Sequence, residues 1–204
     1  WWRNFQLEYW RTFQLVSTDQ GDAKGKRDYA MILLATKLGL RASDIVALKF
    51  ENILWEQSLI KLSQQKTGKN ISLPLLPEIG NAIINYLKHG RPVSEESYLF
   101  LQANAPYRRI NPHILTGIVH SNIKKAKIDC TNRKHGPHAL RHSFAGNLLK
   151  AETPMPIISE ALGHSHTEST MYYLRIDITT LRQCALNVPL VPKSFYAQER
   201  RGVI

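Results

Sequence analysis

Four short polar segments of this 204-residue chain hold residue types that work together on phosphate esters. In Gly39-Leu40-Arg41-Ala42-Ser43-Asp44 an Arg follows a helix stop and precedes an Asp by three positions. At a helix start, positions i and i+3 share a face, so Asp44 can orient the Arg41 guanidinium. Lys66-Thr67-Gly68-Lys69 has the composition of a β-turn, which puts Lys66 on an exposed tip within reach of a phosphate or a leaving oxygen. In His135-Gly136-Pro137-His138-Ala139-Leu140-Arg141-His142, a helix beginning near Pro137 places His138 and Arg141 on one face, close to the N-terminus. That end of a helix suits an anion. Arg brings a fork for two oxygens and His a proton carrier near neutral pH. In the last segment, Leu162-Gly163-His164 ends a helix, and Tyr172 and Tyr173 follow. Adjacent helical residues point about 100° apart, so only one tyrosine can face a shared site.

Each segment alone has an ordinary reading. Arg41 and Asp44 can be a surface ion pair of little worth. Lys66 can be a solvated turn lysine and the tyrosines core residues. The histidine run can be a solvated basic helix or a zinc site made of Cys130, His135, His138 and His142. The zinc reading fits poorly, because there is no CxxC pair, Cys184 is distant in sequence, and the spacing matches no structural zinc pattern. Taken in order, Arg, Lys, His-x-x-Arg, His and Tyr form a set for attacking a phosphodiester without metal: two Arg hold phosphate oxygens, Lys and His manage protons, and Tyr attacks.

The elements that must position these groups are legible in outline. Trp1–Phe13 carries aromatics at roughly helical spacing and can be an amphipathic helix. Ser17–Arg27 reads as a loop, and Lys26–Leu38 as a buried helix stopped by Gly39. Ser43 and Asp44 are expected to cap a short helix through Ala47. Phe50–Leu54, Leu59–Leu62 and Ile71–Leu73 read as three short strands, the last two joined by an exposed hairpin tip at Lys66–Asn70. Pro77–Lys88, a helix opened by Asn111-Pro112 and running to about Lys127, His138–Lys150, Pro156–Leu162 and Ser169–Tyr173 complete the helical set, with an extended piece at Tyr98–Leu101. The expected fold is mainly α with a small three-stranded antiparallel sheet (α+β).

Composition bounds the partners. At 43% hydrophobic and 21% charged the chain is an ordinary globular sequence. Its longest apolar run, Ala30–Ala35, is far too short to span a bilayer, and no signal-peptide pattern opens the chain. Two cysteines form no disulfide framework and suit a reducing compartment. The formal net charge of +11 points to a polyanionic partner, for which nucleic acid is the first expectation. The basic run Tyr107–Lys134 reads either as a track for a DNA backbone or as a solvated helix face.

With these residues in place, the chain resembles the tyrosine recombinase (phage integrase-like) family, in its C-terminal catalytic domain. The resemblance rests on "GLRASDIVALKFENI", "QQKTGKNISLPL", "HALRHSFAGNLL" and "LGHSHTESTMYYLRI", and it covers about Lys26 to Tyr173. It implies that Arg41 and Arg141 are the catalytic arginines, Lys66 the hairpin lysine, and His138 and His164 the flanking histidines. The family's nine-residue step from the His after "LG" implies Tyr173, rather than Tyr172, as the nucleophile. It further implies a 3′-phosphotyrosyl link to DNA with neither metal nor ATP, no cofactor, and Asp44 as a residue that holds Arg41. The implied partners are double-stranded DNA and further copies of the chain, as a tetramer on DNA, with no membrane. The implied location is cytoplasmic and nucleoid-associated, in a bacterial or phage-borne system.

The resemblance suggests a linker or N-terminal helix remnant at 1–20, a DNA-cleaving domain at 21–175, and a tail at 176–204 that packs on a neighbouring protomer. The chain opens without Met and reads as part of something longer; the N-terminal helical domain usual in the family is not seen in it. Two rivals stay open at this stage. One is a type IB topoisomerase, which shares the chemistry but relaxes DNA. The other is a catalytically silent DNA-binding protein on the same scaffold. A basic ribosomal or RNA-binding protein accounts for the charge but not for the ordered site.

Overall fold

The structure, a computed structural model, describes residues 20–128 and 135–164. Helix α1 (Ala23–Lys37) is the hub: it packs against α3 (Pro77–His89), α5 (Pro137–Lys150), α2 (Ala42–Ala47) and α4 (Pro112–Lys125). A helix surrounded on several sides has apolar residues around most of its girth, and Met31, Leu33, Leu34 and Ala35 are all buried. The helix begins earlier than the sequence suggests. Asp22 caps it by accepting from the Gly25 N–H at 2.6 Å, so most of the expected 17–27 loop beyond this point is helix. Within its first turns Arg27 and Asp28 are buried as a pair, with Arg27 Nη1 donating to the Leu101 carbonyl at 3.0 Å.

A three-stranded antiparallel sheet, ordered β1-β2-β3, follows α2: β1 (Ile53–Leu54), β2 (Leu59–Ser63) and β3 (Asn70–Pro74). Ile60 pairs with Ile53 on one side and Leu73 on the other, and Ser63 with Asn70 beside the tip. The alternation puts Ile60, Leu62, Ile71 and Leu73 inward. The first strand is shorter than the pattern Phe50–Leu54 implies. Phe50–Asn52 is a 3₁₀ turn, because the Asn52 carboxamide accepts from Lys49 N–H at 2.8 Å and donates to the Lys61 carbonyl at 2.9 Å, side-chain bonds that hold the backbone in a turn.

Asn111 caps α4 through the His113 N–H at 2.9 Å with Pro112 in the first turn, as expected. The Tyr98–Leu101 piece makes two isolated bridges, Lys49 with Tyr98 and Leu101 with Arg109. Helix α6 (Met155–Leu162) packs on α5 through a small cluster of Ala145, Ile158 and Leu162, and it also touches β3. No described helix is long and apolar enough to cross a membrane. The expected helices at Trp1–Phe13 and Ser169–Tyr173, the tail from 176, and Cys130 lie outside the described residues.

Candidate active site

The site forms where four chain segments meet: the start of α2, the end of β2 with its hairpin, the first turns of α5, and the turn after α6. Arg41 occupies the N-cap position of α2 in extended conformation, so its side chain leaves the helix end rather than lying along it. Neither Ser43 nor Asp44 caps this helix, contrary to expectation. Asp44 instead turns inward, its side chain fully buried, and Oδ1 accepts the Gln65 N–H at 2.8 Å. Asp44 Oδ2 lies 3.9 Å from Arg41 Nη1, so the pair is neither a surface ion pair nor a close one. Burial pushes the Asp44 carboxyl above the usual carboxylate range, against the pull of the Gln65 N–H and of Arg41 and Arg141.

The close partner of Arg41 is Gln64, whose Oε1 accepts from Arg41 Nη1 at 2.6 Å. Gln64 extends the inward phase of β2 beyond Ile60 and Leu62 and is 1% exposed. Its Oε1 also accepts from Thr67 Oγ1 at 2.7 Å, and its Nε2 donates to the Leu162 carbonyl at 3.0 Å. Its backbone closes the hairpin: Gly68 N–H donates to the Gln64 carbonyl at 2.8 Å, and Gln64 N–H to the Lys69 carbonyl at 2.9 Å.

Arg141 comes from the second turn of α5 and is 2% exposed. Its Nη1 donates to the Gly39 carbonyl at 2.7 Å and its Nη2 to the Leu162 carbonyl at 2.6 Å. A planar fork can reach two carbonyls on separate segments at once; an ammonium on a flexible stem is far less suited to it. His138 does not share this environment. It stands exposed, its ring edge-on to His142 at 4.6 Å between centroids, whereas Arg141 faces inward. The two residues, three positions apart on one helix, thus differ in burial: Arg141 reaches the Gly39 and Leu162 carbonyls in the interior, and His138 stands at the surface.

His164 follows Gly163, which ends α6 in left-handed conformation (φ 62°). The His164 N–H donates back to the Ser159 carbonyl at 3.0 Å, closing the turn. Partial burial, followed by the positive charges of Arg141 and Arg41, drives the imidazole pKa down to about 4, with smaller pushes from His142 and Lys69. His164 is thus neutral at neutral pH, in a concentration of positive charge that an anion would relieve. Lys66 is exposed on the hairpin tip. Tyr173 and Tyr172 lie outside the described residues.

The structure thus brings Arg41, Arg141 and His164 together, leaves Lys66 on an adjoining exposed tip, and holds His138 at the outer edge. Sequence reasoning gave no role to Gln64, Thr67 or Lys69, although all three stand within the quoted hairpin motif. The signal for Gln64 was there: it is a polar side chain on the inward phase of an alternating strand, and a buried polar group needs partners.

Comparison with known proteins decides the family. The sequence matches the Phage integrase family over residues 10–179. This chain belongs to the phage integrase family. Among its relatives, the putative integrase/recombinase y4rA of Sinorhizobium fredii is 38% identical over 86% of this chain and 42% of its own length. The tyrosine recombinase XerA of Pyrococcus furiosus is 32% identical over 77% of this chain and 53% of its own. The chain thus spans about half the length of these two relatives. In fold, this integrase-family chain is similar to the XerH site-specific recombinase bound to palindromic difH substrate in a post-cleavage complex, with a TM-score of 0.74, 22% identity, and coverage of 89% of this chain and 51% of that one. The α+β architecture read from the sequence is that of its structural neighbours.

Proposed function

We propose that this chain is the DNA-cleaving part of a site-specific recombinase, and that it cuts and rejoins strands in the integration or excision of a mobile element. The observation that carries this reading is the meeting of Arg41 and Arg141, a hundred residues apart in sequence, around Gln64 and the Leu162 carbonyl beside a neutral His164. Several cation-bearing groups around one spot suit the charge that develops when a phosphodiester is attacked.

In this reading Tyr173 Oη attacks the scissile phosphorus, forming a P–O bond to tyrosine while the P–O5′ bond breaks. His138 accepts the phenolic proton or serves as a further ligand of the phosphate, and Lys66 delivers a proton to the departing 5′ oxygen. Arg41, Arg141 and His164 hold the non-bridging oxygens of the phosphorane. The covalent link preserves the energy of the broken ester, and attack by a 5′-hydroxyl of another strand reverses the step. Asp44 and Gln64 act on Arg41 and not on the phosphate.

Double-stranded DNA is the proposed partner. The charge of +11 and the basic run 107–134 support backbone contacts, which provide affinity without sequence information. Residues 21–175 are proposed as the cleaving unit and 176–204 as a tail packing on a neighbour in a tetramer. The test is a nicked duplex carrying candidate sites, incubated with the protein in EDTA and run on a denaturing gel. The expected result is a covalent protein–DNA band that survives Tyr172→Phe and disappears in Tyr173→Phe. A band lost only in Tyr172→Phe reassigns the nucleophile. DNA binding without a band, on substrates spanning the element ends, favours a silent binding protein.

A further inference from the structure

Gln64 has the contacts of a hub, although it touches no reacting atom in the chemistry outlined above. It is buried at the end of β2, and its single carboxamide touches three of the segments that build the site. Through Oε1 it takes hydrogen bonds from Arg41 Nη1 and Thr67 Oγ1; through Nε2 it donates to the Leu162 carbonyl, the same oxygen that Arg141 Nη2 reaches. A carboxamide has one acceptor and one donor end, and here both ends are used with complementary partners. Arg41 has no comparably short bond to Asp44, which is 3.9 Å away.

The turn at Gly163 completes the arrangement. A Cβ on residue 163 would run into the Gln64 carboxamide, so the backbone leading to His164 lies directly against this side chain. Gln64 therefore fixes the angle of the Arg41 fork relative to Arg141 and His164, and ties that angle to the hairpin that bears Lys66.

We propose that Gln64 is a positioning residue for phosphate activation: it sets the Arg41 guanidinium against the non-bridging oxygen of the scissile phosphate and registers the Lys66 hairpin to the His164 turn. This rests on the strand-cleavage reading. It differs from a packing role in a way that charge can report, because Gln64 matters through Arg41, and Arg41 matters through the negative charge on the phosphate. Replacing one non-bridging oxygen by methyl removes that charge while leaving the leaving group and nucleophile unchanged.

The experiment uses the full chain under single-turnover conditions, with a nicked duplex bearing either an ordinary scissile phosphodiester or a methylphosphonate. Gln64→Leu keeps the size and inward phase but loses all three side-chain hydrogen bonds. Gln64→Glu keeps the acceptor for Arg41 and Thr67 but adds a carboxylate that competes with phosphate for the guanidinium. Both variants are expected to slow diester cleavage by about 10- to 100-fold, the scale of a small misplacement of a catalytic group, and methylphosphonate cleavage by less than about threefold, a gap of at least half a decade. Thermal melting checks folding, and Gln64→Glu remains informative if Gln64→Leu melts early. Equal slowing on both substrates, or no slowing by either variant, overturns the proposal while leaving strand cleavage intact. A wild-type protein that gives no covalent band on the diester overturns the strand-cleavage reading and the proposal with it.

Discussion

Arg141 donates through Nη2 to the carbonyl of Leu162 at 2.6 Å, and this bond carries the guanidinium of α5 to the last residue of α6. The other end of the fork binds the Gly39 carbonyl at the close of α1. One side chain thus joins three helix ends, and each carbonyl is an acceptor with no partner further along its own helix. A buried charge of this kind is held for geometry: its desolvation is offset by hydrogen bonds to main-chain oxygens.

Arg141→Ala should consequently affect stability as well as chemistry. It deprives the Gly39 carbonyl of its donor and opens space at a 2%-exposed position, for a loss of about 2–4 kcal/mol. Arg141→Lys restores the charge but not the fork, and should recover part of the stability with little of the cleavage, which is expected to fall about 10²- to 10³-fold or more. Urea denaturation and covalent-complex assays on both variants check this; a Lys variant with near-wild-type cleavage would show that charge alone suffices.

Gly163 and Gly68 make a matched pair. Their φ angles are 62° and 65°, yet a Cβ at Gly163 meets the Gln64 carboxamide, whereas nothing lies within 4 Å of one at Gly68. Gly68→Ala should show only the backbone cost of left-handed geometry, about 1 kcal/mol. Gly163→Ala adds displacement of Gln64, and should lose about 2–4 kcal/mol in all and most cleavage. Melting curves of the two variants side by side decide it; equal losses would mean Gln64 yields without consequence.

How far the sequence revealed the fold depended on whether local chemistry and tertiary demand agreed. The Asn111-Pro112 start, the hairpin tip and the inward Ile60, Leu62, Ile71 and Leu73 were all legible, because cap, turn and period-2 signals point the same way there. Ser17–Arg27 was read as loop from its polar residues and its glycines, whereas the helix starts at Ala23, and only the fold reveals that Arg27 and Asp28 pair inside. Asp44 was read as a cap and orienter of Arg41 from i, i+3 spacing. In the structure that carboxylate accepts from Gln65 N–H and lies 3.9 Å from Arg41 Nη1, whose close partner is Gln64, a residue bonded to Arg41 and to Leu162 across 23 and 98 positions of sequence. Contacts of that range are invisible to local pattern. The arginines and His164 were singled out because their types, in that order, resemble the family's motifs, and the structure brings them near one another.

The low pKa of His164 has a direction that DNA should reverse. Its folded value of about 4 lies below the ordinary 6.5. Between those values the unfolded chain binds more protons, so the stability tied to neutral His164 is fully present above pH 6.5 and declines as pH falls toward 4. A phosphate set against Arg141 and Arg41 cancels the positive field that, after burial, holds the pKa down. NMR titration of the His164 imidazole should therefore show a pKa well below 6 in the free protein and an upward shift in the DNA complex. An ordinary value in the free protein would mean that the imidazole does not feel the two guanidiniums.

Lys66 and Lys69 can be told apart by the proton each has to give. Both sit on the hairpin closed by Gln64, but it is Lys69 whose charge reaches His164, while Lys66 is the residue matched to the family's hairpin lysine. If Lys66 protonates the 5′ oxygen, Lys66→Ala leaves that alkoxide to depart unaided, at a cost of about 10²- to 10⁴-fold. Replacing the bridging 5′ oxygen by sulfur provides a leaving group that needs no proton, and should restore cleavage by Lys66→Ala to within about tenfold of wild type on the same substrate. Lys69→Ala, if its charge serves only the phosphate, should lose less on the ordinary substrate and gain nothing from the sulfur. Single-turnover rates for the two variants on the two substrates separate the roles. Rescue of Lys69→Ala and not of Lys66→Ala would transfer the acid to position 69, where the field at His164 already records a cation.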